Sequence, residues 1–294
     1  MANTIIYAEE WAVKLQERLN HTTVWKEVCN VEYTNSRVLN NPYIGTYPTV
    51  QTGTRGAAYT HQDVTETNES ITISTFKILP ILIDRADLAQ STFSKQMDMA
   101  DMQGQLLNET IEVAMLASHA SWTNIGDSGG GAIGLSSSAI TVSSSNIDDI
   151  IRAIKREIRK ANGTQLMNQK GVFIIWRPAD FELLEAFIQA NGFVTADTYL
   201  KEGTVSGLRY LGVEHYTSND HTSGHLFAGV KNVFHLGIVR DTYGQIVINQ
   251  DPTLATGVAG TIGQTSGIGI VARVDYAFKA WNNFVPVLFD INVS

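Results

Sequence analysis

Four groups of residues carry side chains or spacings that catalysis or ligand binding uses. Gly126-Asp127-Ser128-Gly129-Gly130 reads GDSGG, the string around the nucleophilic serine in one class of serine protease. That serine works only with a histidine general base that a buried carboxylate orients. Enzymes with this string are all-β and disulfide-bonded, whereas here it follows a long helical pattern in a chain with one cysteine. A turn is the plainer reading. His215, His221 and His225, with Asp220, offer imidazoles and a carboxylate to a metal ion. Their spacing crosses a polar turn, Thr217–Gly224, and does not set two histidines on one helical face as zinc hydrolases do. Gly257, Gly260, Gly263, Gly267 and Gly269 resemble a phosphate cradle, but no Gly-Lys-Ser/Thr follows and no helix opens behind them. Cys29 is a lone cysteine without an evident base, so it reads as a small buried apolar residue. No catalytic residue, cofactor site or metal site is expected.

The elements that would hold these residues have an unusual rhythm. Residues 4–20 repeat Ile5, Ala8, Ala12, Leu15 and Leu19 at spacings of three and four, an amphipathic helix. Residues 21–45 lose that period, with Asn35, Asn40, Asn41 and Pro42 as breakers, and read as a wandering arm. Residues 46–79 read as a strand, a polar tip over His61–Ser70, and a return strand over Ile71–Ile78. A two-stranded ribbon so poor in apolar side chains buries no core of its own, so either it is disordered or it rests on another surface. The apolar run Ile78–Ile83 closes it. A helix over 92–119 follows, with Phe93, Met97, Ala100, Leu107, Ile111 and Ala114 on one face and Asp98, Asp101, Glu109 and Glu112 elsewhere. At 1.5 Å per residue it spans about 40 Å. Met97, Met99, Met102 and Met115 on it read as packing residues.

Beyond this helix, residues 123–146 read as a Gly/Ser loop around a short strand, Ala139–Val142. Ser145 is positioned to cap the next helix. That helix has Asp148 and Asp149 in its first turn, the stripe Ile147, Ile150, Ile151, Ile154 and Ile158, basic residues in its last turns, and Gly163 at its end. Gly171–Trp176 is a buried strand, and Pro178 opens a helix with Phe181, Leu184, Phe187 and Ile188 inward. Strands follow at 207–216, 225–230, 233–240, 245–248, 268–280 and 285–293. The class is α+β.

Composition narrows the function. Of 294 residues, 44% are apolar and only 17% charged, which suits a surface placed largely against other protein. The net charge of -8 argues against a protein that grips phosphate tightly. Arg152, Lys155, Arg156 and Arg159 are candidates for DNA contact only as basic residues. No stretch approaches a membrane span, and the start carries no secretory signal pattern.

The order of arm, polar ribbon, long helix, central α/β region and returning strands, with the texture of ITISTFKILPILID leading into the helix, resembles the major capsid proteins of tailed bacteriophages, the Hong Kong 97-type fold. The resemblance implies an N-terminal arm over 1–45, an E-loop over 46–79, and a peripheral domain with its spine helix and following loop over 80–145. It implies an axial domain over 146–262 and returning peripheral strands over 263–294. It further implies self-assembly into pentamers and hexamers of an icosahedral shell around double-stranded DNA, touched without sequence preference. Portal and scaffolding proteins, and in some relatives a decoration protein, are the implied partners. A separate scaffold is expected, because no long charged helical segment precedes residue 45. The implied location is the virion, after assembly in the host cytoplasm and away from membranes. Some relatives crosslink an E-loop lysine; here the only such lysine, Lys77, lies at the ribbon's base, so that chemistry is not carried over. The residues expected to meet a neighbouring subunit are Trp11, Trp25, Tyr47, Arg55, Tyr59, Asp63, Glu66 and Lys77. The alternatives are an encapsulin-type compartment shell and, more remotely, a hydrolase using Ser128 or the histidine turn.

Overall fold

Val172, Phe173, Ile174, Ile175 and Trp176 are apolar in succession and all are buried. A strand with no polar face has to sit inside a sheet covered on both sides. The computed structural model supplies that sheet. It describes residues 23–46, 48–84, 93–190, 208–240, 246–249 and 267–294. The helix expected over 4–20, with Trp11, and also Tyr47, Gly257, Gly260 and Gly263, lie outside the described residues.

In chain order the first elements are α1 (Trp25–Val28), β1 (Asn30–Thr34), β2 (Val38–Thr46), β3 (Thr65–Thr72) and β4 (Thr75–Asp84). The helix α2 (Phe93–Leu116) ends in a 3-10 turn, Ala117–Ser121, followed by β5 (Thr123–Asp127) and β6 (Ile133–Leu135). The central region holds α3 (Ile147–Lys160), α4 (Thr164–Lys170), β7 (Val172–Trp176) and α5 (Pro178–Ala190). Then come β8 (Leu208–Tyr210), β9 (Val213–Thr217), β10 (His225–Val230), β11 (Phe234–Val239), β12 (Ile246–Asn249), β13 (Gly267–Ala280) and β14 (Leu288–Asn292).

The chain divides into two units. The first takes in Lys77–Thr110 and Gly244–Val274. Within it β12 pairs antiparallel with β13 from Ile246↔Ala272 to Asn249↔Gly269, and the side chain of Gln103 donates to the carbonyl of Leu79 at 2.9 Å. The second takes in Thr22–Phe76, Ile111–Tyr243 and Asp275–Ser294. Its seven-stranded sheet runs β6-β5-β14-β10-β7-β9-β8, with β7 parallel to β9 and antiparallel to β10. The isoleucines Ile147, Ile150, Ile151, Ile154 and Ile158 of α3 are fully buried, as their spacing requires. β1 lies parallel to β11, which pairs in turn with Tyr276–Ala280.

Several local expectations change. The arm over 21–45 is not formless: it contains α1, β1 and β2. Asn40, Asn41 and Pro42 stand inside a strand, because β2 and β3 form an isolated pair running from Val38↔Thr72 to Thr46↔Thr65. Each strand of such a pair keeps a free edge, where a proline costs no ladder bond. The polar stretch expected to be the tip is therefore mostly return strand, and the tip is the irregular segment 48–64. Thr75–Asp84 is one strand through Pro80. After α2 the chain makes the hairpin β5–β6, while Ile140 makes only an isolated bridge to Val293.

Ser145 does not cap α3. Asn146 stands at the cap position, and its side chain bonds Ser143 and Thr141 instead. Asn162, with φ 59, rather than Gly163, makes the left-handed turn after α3. A Cβ on Gly163 would lie 2.9 Å from side-chain atoms of Ile158 and Val287. On α2, Glu112 is wholly buried while Val113 is 47% exposed, the reverse of the polar-out expectation.

Candidate functional site

The ribbon is anchored at its root and bare at its end. Ile71 and Ile73 are buried, and Glu69 is nearly so. Glu69 accepts the N–H of Asn282 at 3.2 Å, and Lys279 donates to the carbonyl of Ser70 at 2.9 Å. Beyond that root every β3 residue from Thr65 to Asn68 is exposed. The tip is pinned by side-chain amides. Gln62 accepts from the N–H of Thr49 at 2.7 Å and donates to its carbonyl at 2.9 Å, standing in for a strand partner. Gln51 donates to the carbonyl of Thr60 at 3.1 Å. Val50 and Tyr59 are 102% and 77% exposed, in a segment whose other side chains bury almost nothing.

The expected contact residues divide on this geometry. Arg55, Tyr59, Asp63 and Glu66 are exposed on the ribbon, with Tyr59 edge-on to His61 at 5.4 Å. Lys77 is exposed on β4. Trp25 is corrected: it is fully buried inside the second unit and leaves no surface for a neighbour. The apolar side of α1 carries it inward together with Val28.

The catalytic-looking strings resolve into structure. A Cβ on Gly126 would fall 2.2 Å from the carbonyl oxygen of Ser138 and 2.7 Å from that of Ser136, so only glycine fits there. Asp127 accepts the N–H of Gly129 at 2.8 Å, and the Ser128 hydroxyl donates to the carbonyl of Ala132 at 2.9 Å. Gly129, Gly130 and Gly131 all take positive φ. GDSGG is the turn between β5 and β6.

His215 is fully buried. Its Nδ1 accepts from the indole N–H of Trp176 at 2.9 Å, which fixes the ring as the Nε2–H form. Burial pushes its pKa down to about 4 against a weaker lift from the Tyr210 carbonyl, and burial brings His221 to about 4 as well. The three histidines of the turn do not converge.

Two buried carboxylates that their sequence context gave no sign of organise the second unit. Glu112 accepts from the N–H of Val24 and from the Ser218 hydroxyl at 2.7 Å, tying α2 to the start of α1 and to the turn after β9. Burial, the largest cause, pushes its pKa up, against the pull of those hydrogen bonds. Burial first and the Glu112 charge second push the Cys29 thiol up, so it is held as an inert thiol. The other carboxylate, Asp290 on β14, meets His225 on β10 and His119 in the 3-10 turn. Among the basic residues of α3, Arg152 pairs with Asp148 at 2.5 Å, Arg156 with Glu157 at 2.9 Å, and Lys155 donates to the carbonyl of Leu211 at 2.5 Å. Only Arg159 of that group keeps an exposed head with no such bond described.

No family model and no curated protein matches the sequence. Solved structures do match across nearly the whole length. A chain from Mycobacterium phage Che8 superposes with a TM-score of 0.71 at 17% identity, over 99% of this chain and 98% of that one. A chain of the mature capsid of bacteriophage PhiM1 gives 0.65 at 13% identity, over 98% and 92%. A chain from the capsid of an empty GTA particle gives 0.68 at 10%, over 98% and 95%. The fold is the Hong Kong 97-type capsid fold. At such identities the shared object is a backbone rather than a set of side chains. In this capsid fold the exposed ribbon precedes a 24-residue helix, and β5, β6 and β14, from segments the resemblance gave to a peripheral domain, share one sheet with β7, β9 and β10 of the expected axial region.

Proposed function

We propose that this chain is the major capsid protein of a tailed bacteriophage, assembling into pentamers and hexamers of an icosahedral shell around double-stranded DNA. The observation that carries the reading is the ribbon, an exposed two-stranded element without a core of its own, on a fold shared along 98–99% of the chain with phage capsid chains. A ring of identical subunits needs heterologous contacts, in which different patches of one chain meet head to tail. A ribbon reaching past its own core provides one such patch, and many weak contacts sum to a stable shell.

On this reading residues 46–79 act as the E-loop, and Arg55, Tyr59, Asp63, Glu66 and Lys77 meet the neighbouring subunit. The virion is the site of action, with portal, scaffolding protein and packaged DNA as partners. The GDSGG turn, with its serine hydroxyl committed to Ala132, gives the hydrolase reading no support. Phage capsids among the similar structures favour this reading over an encapsulin-type shell.

Electron microscopy of the purified chain, alone and with a cognate scaffold, is the test, together with nucleic-acid absorbance of native particles. Closed shells containing DNA are expected. Shells that hold cargo protein in place of DNA would move the assignment to a compartment shell, and a strict monomer under every condition would overturn both.

A further inference from the structure

Asp290 is a buried carboxylate shared by two imidazoles. Its side chain is 3% exposed, and the oxygens have no hydrogen-bond partners among the described residues other than His119 and His225. Nδ1 of His225 lies 3.0 Å from both oxygens, and Nδ1 of His119 lies 3.2 Å from Oδ2. The two rings stack, with centroids 4.0 Å apart and planes 20° apart. The three residues come from separate segments. His225 and Asp290 sit diagonally on one face of the β10–β14 pair, where Phe227 opposes Asp290, and His119 reaches them from the turn that ends α2.

We propose that His119, His225 and Asp290 form a binding site for a divalent zinc-class transition-metal ion. Zinc binds imidazole nitrogen and carboxylate oxygen at about 2.0–2.2 Å. Two ligands at that radius in a tetrahedron stand about 3.3–3.5 Å apart. The nitrogen–oxygen separations of 3.0–3.2 Å are within a few tenths of an ångström of that edge, and turning one ring out of the stack aims both Nδ1 lone pairs at a single ion. Each imidazole binds as its Nε2–H form, its Nδ1 proton passing to its own Nε2 from a neutral ring or to water from a protonated one, which frees the Nδ1 lone pair; the step needs no other reactant. Two nitrogens and one oxygen suit zinc, cobalt or nickel and disfavour magnesium and calcium, which take all-oxygen shells. His119 and His225 are 19% and 30% exposed at their side chains, so an ion and a fourth ligand such as water have access. The bound ion would clamp the end of α2 to the centre of the seven-stranded sheet.

The test uses the 294-residue chain, stripped with EDTA and desalted. Titration with Co2+ should produce the visible absorption of a low-symmetry four- or five-coordinate ion with a stoichiometry of one, and Zn2+ should abolish it by displacement. Zn2+ at about a hundredfold excess over its Kd should raise Tm by about 5 °C, with one zinc retained after desalting. In His119→Gln/His225→Gln the absorption and the retained zinc should both vanish while circular dichroism stays native. If that variant does not fold, the wild-type cobalt spectrum and stoichiometry decide alone. Silent cobalt spectra in the wild type overturn the proposal, as does equal metal retention by a folded double variant.

Discussion

At the residue scale, buried titratable groups set the pH response of the second unit. His215 and His221 have pKa values near 4 in the folded chain, against about 6.5 when unfolded. Between those values the unfolded chain binds more protons, so stability is full above about pH 6.5 and is lost as pH falls toward 4. The loss is at most about 3 kcal/mol per histidine. Glu112 works in the opposite sense. Its folded pKa is raised, so its protonated form is favoured by folding, and the stability this contributes at low pH is lost as pH rises from the ordinary carboxylate range through the raised folded value. Chemical denaturation of unassembled subunits at a series of pH values checks this. His215→Gln should reduce the slope between pH 6.5 and 4 by up to about 1.4 kcal/mol per pH unit. The GDSGG turn gives a second prediction. Gly126→Ala should destabilise by more than about 2 kcal/mol through its backbone clash, while Ser128→Ala should cost about 1 kcal/mol for one exposed hydrogen bond.

At the element scale, the ribbon divides into a packed root and a bare end. Removing the buried side chain in Ile71→Ala should cost about 2–4 kcal/mol, read from the denaturation midpoint. Thr67→Ala, on the exposed part of the same strand, should stay within about 0.5 kcal/mol. The helix α3 was the most legible element in the sequence, because an isoleucine stripe with acids first and bases last admits one orientation. The hairpin β5–β6 was not legible. Its strands are short, and the glycines that permit it look from sequence like a flexible loop. Strand β2 was hidden for a related reason. Asn40, Asn41 and Pro42 break most strands but are tolerated where both strands of a pair keep a free edge.

At the scale of the whole molecule, the tip should be dispensable for folding and required for assembly. Replacing Gln51–His61 with a short Gly/Ser turn leaves the root contacts of Glu69, Ser70, Ile71 and Ile73 in place. Tm should hold within about 2 °C, because the removed side chains bury almost no apolar surface. Shells should fail to form, or form with visible defects, in electron microscopy. A collapsed Tm with normal shells would show that the segment belongs to the subunit's own core.

The sequence by itself determined the α+β class, the long helix, the buried strand Val172–Trp176, the α3 stripe and a ribbon too polar to stand alone. Periodicity and local composition carry that information, because each depends on neighbours a few residues away. Tertiary structure alone decided where the ribbon begins and ends, that Trp25 is core, that Glu112 is buried beside the start of α1, and that His119 and His225 share Asp290. Those outcomes depend on segments far apart in the chain, 88 residues for Val24 and Glu112 and 171 for His119 and Asp290, and no local pattern encodes which distant carboxylate a histidine will meet. The GDSGG string shows the same limit: only the fold revealed that its serine is spent on Ala132 and that its first glycine is there to let two backbones touch.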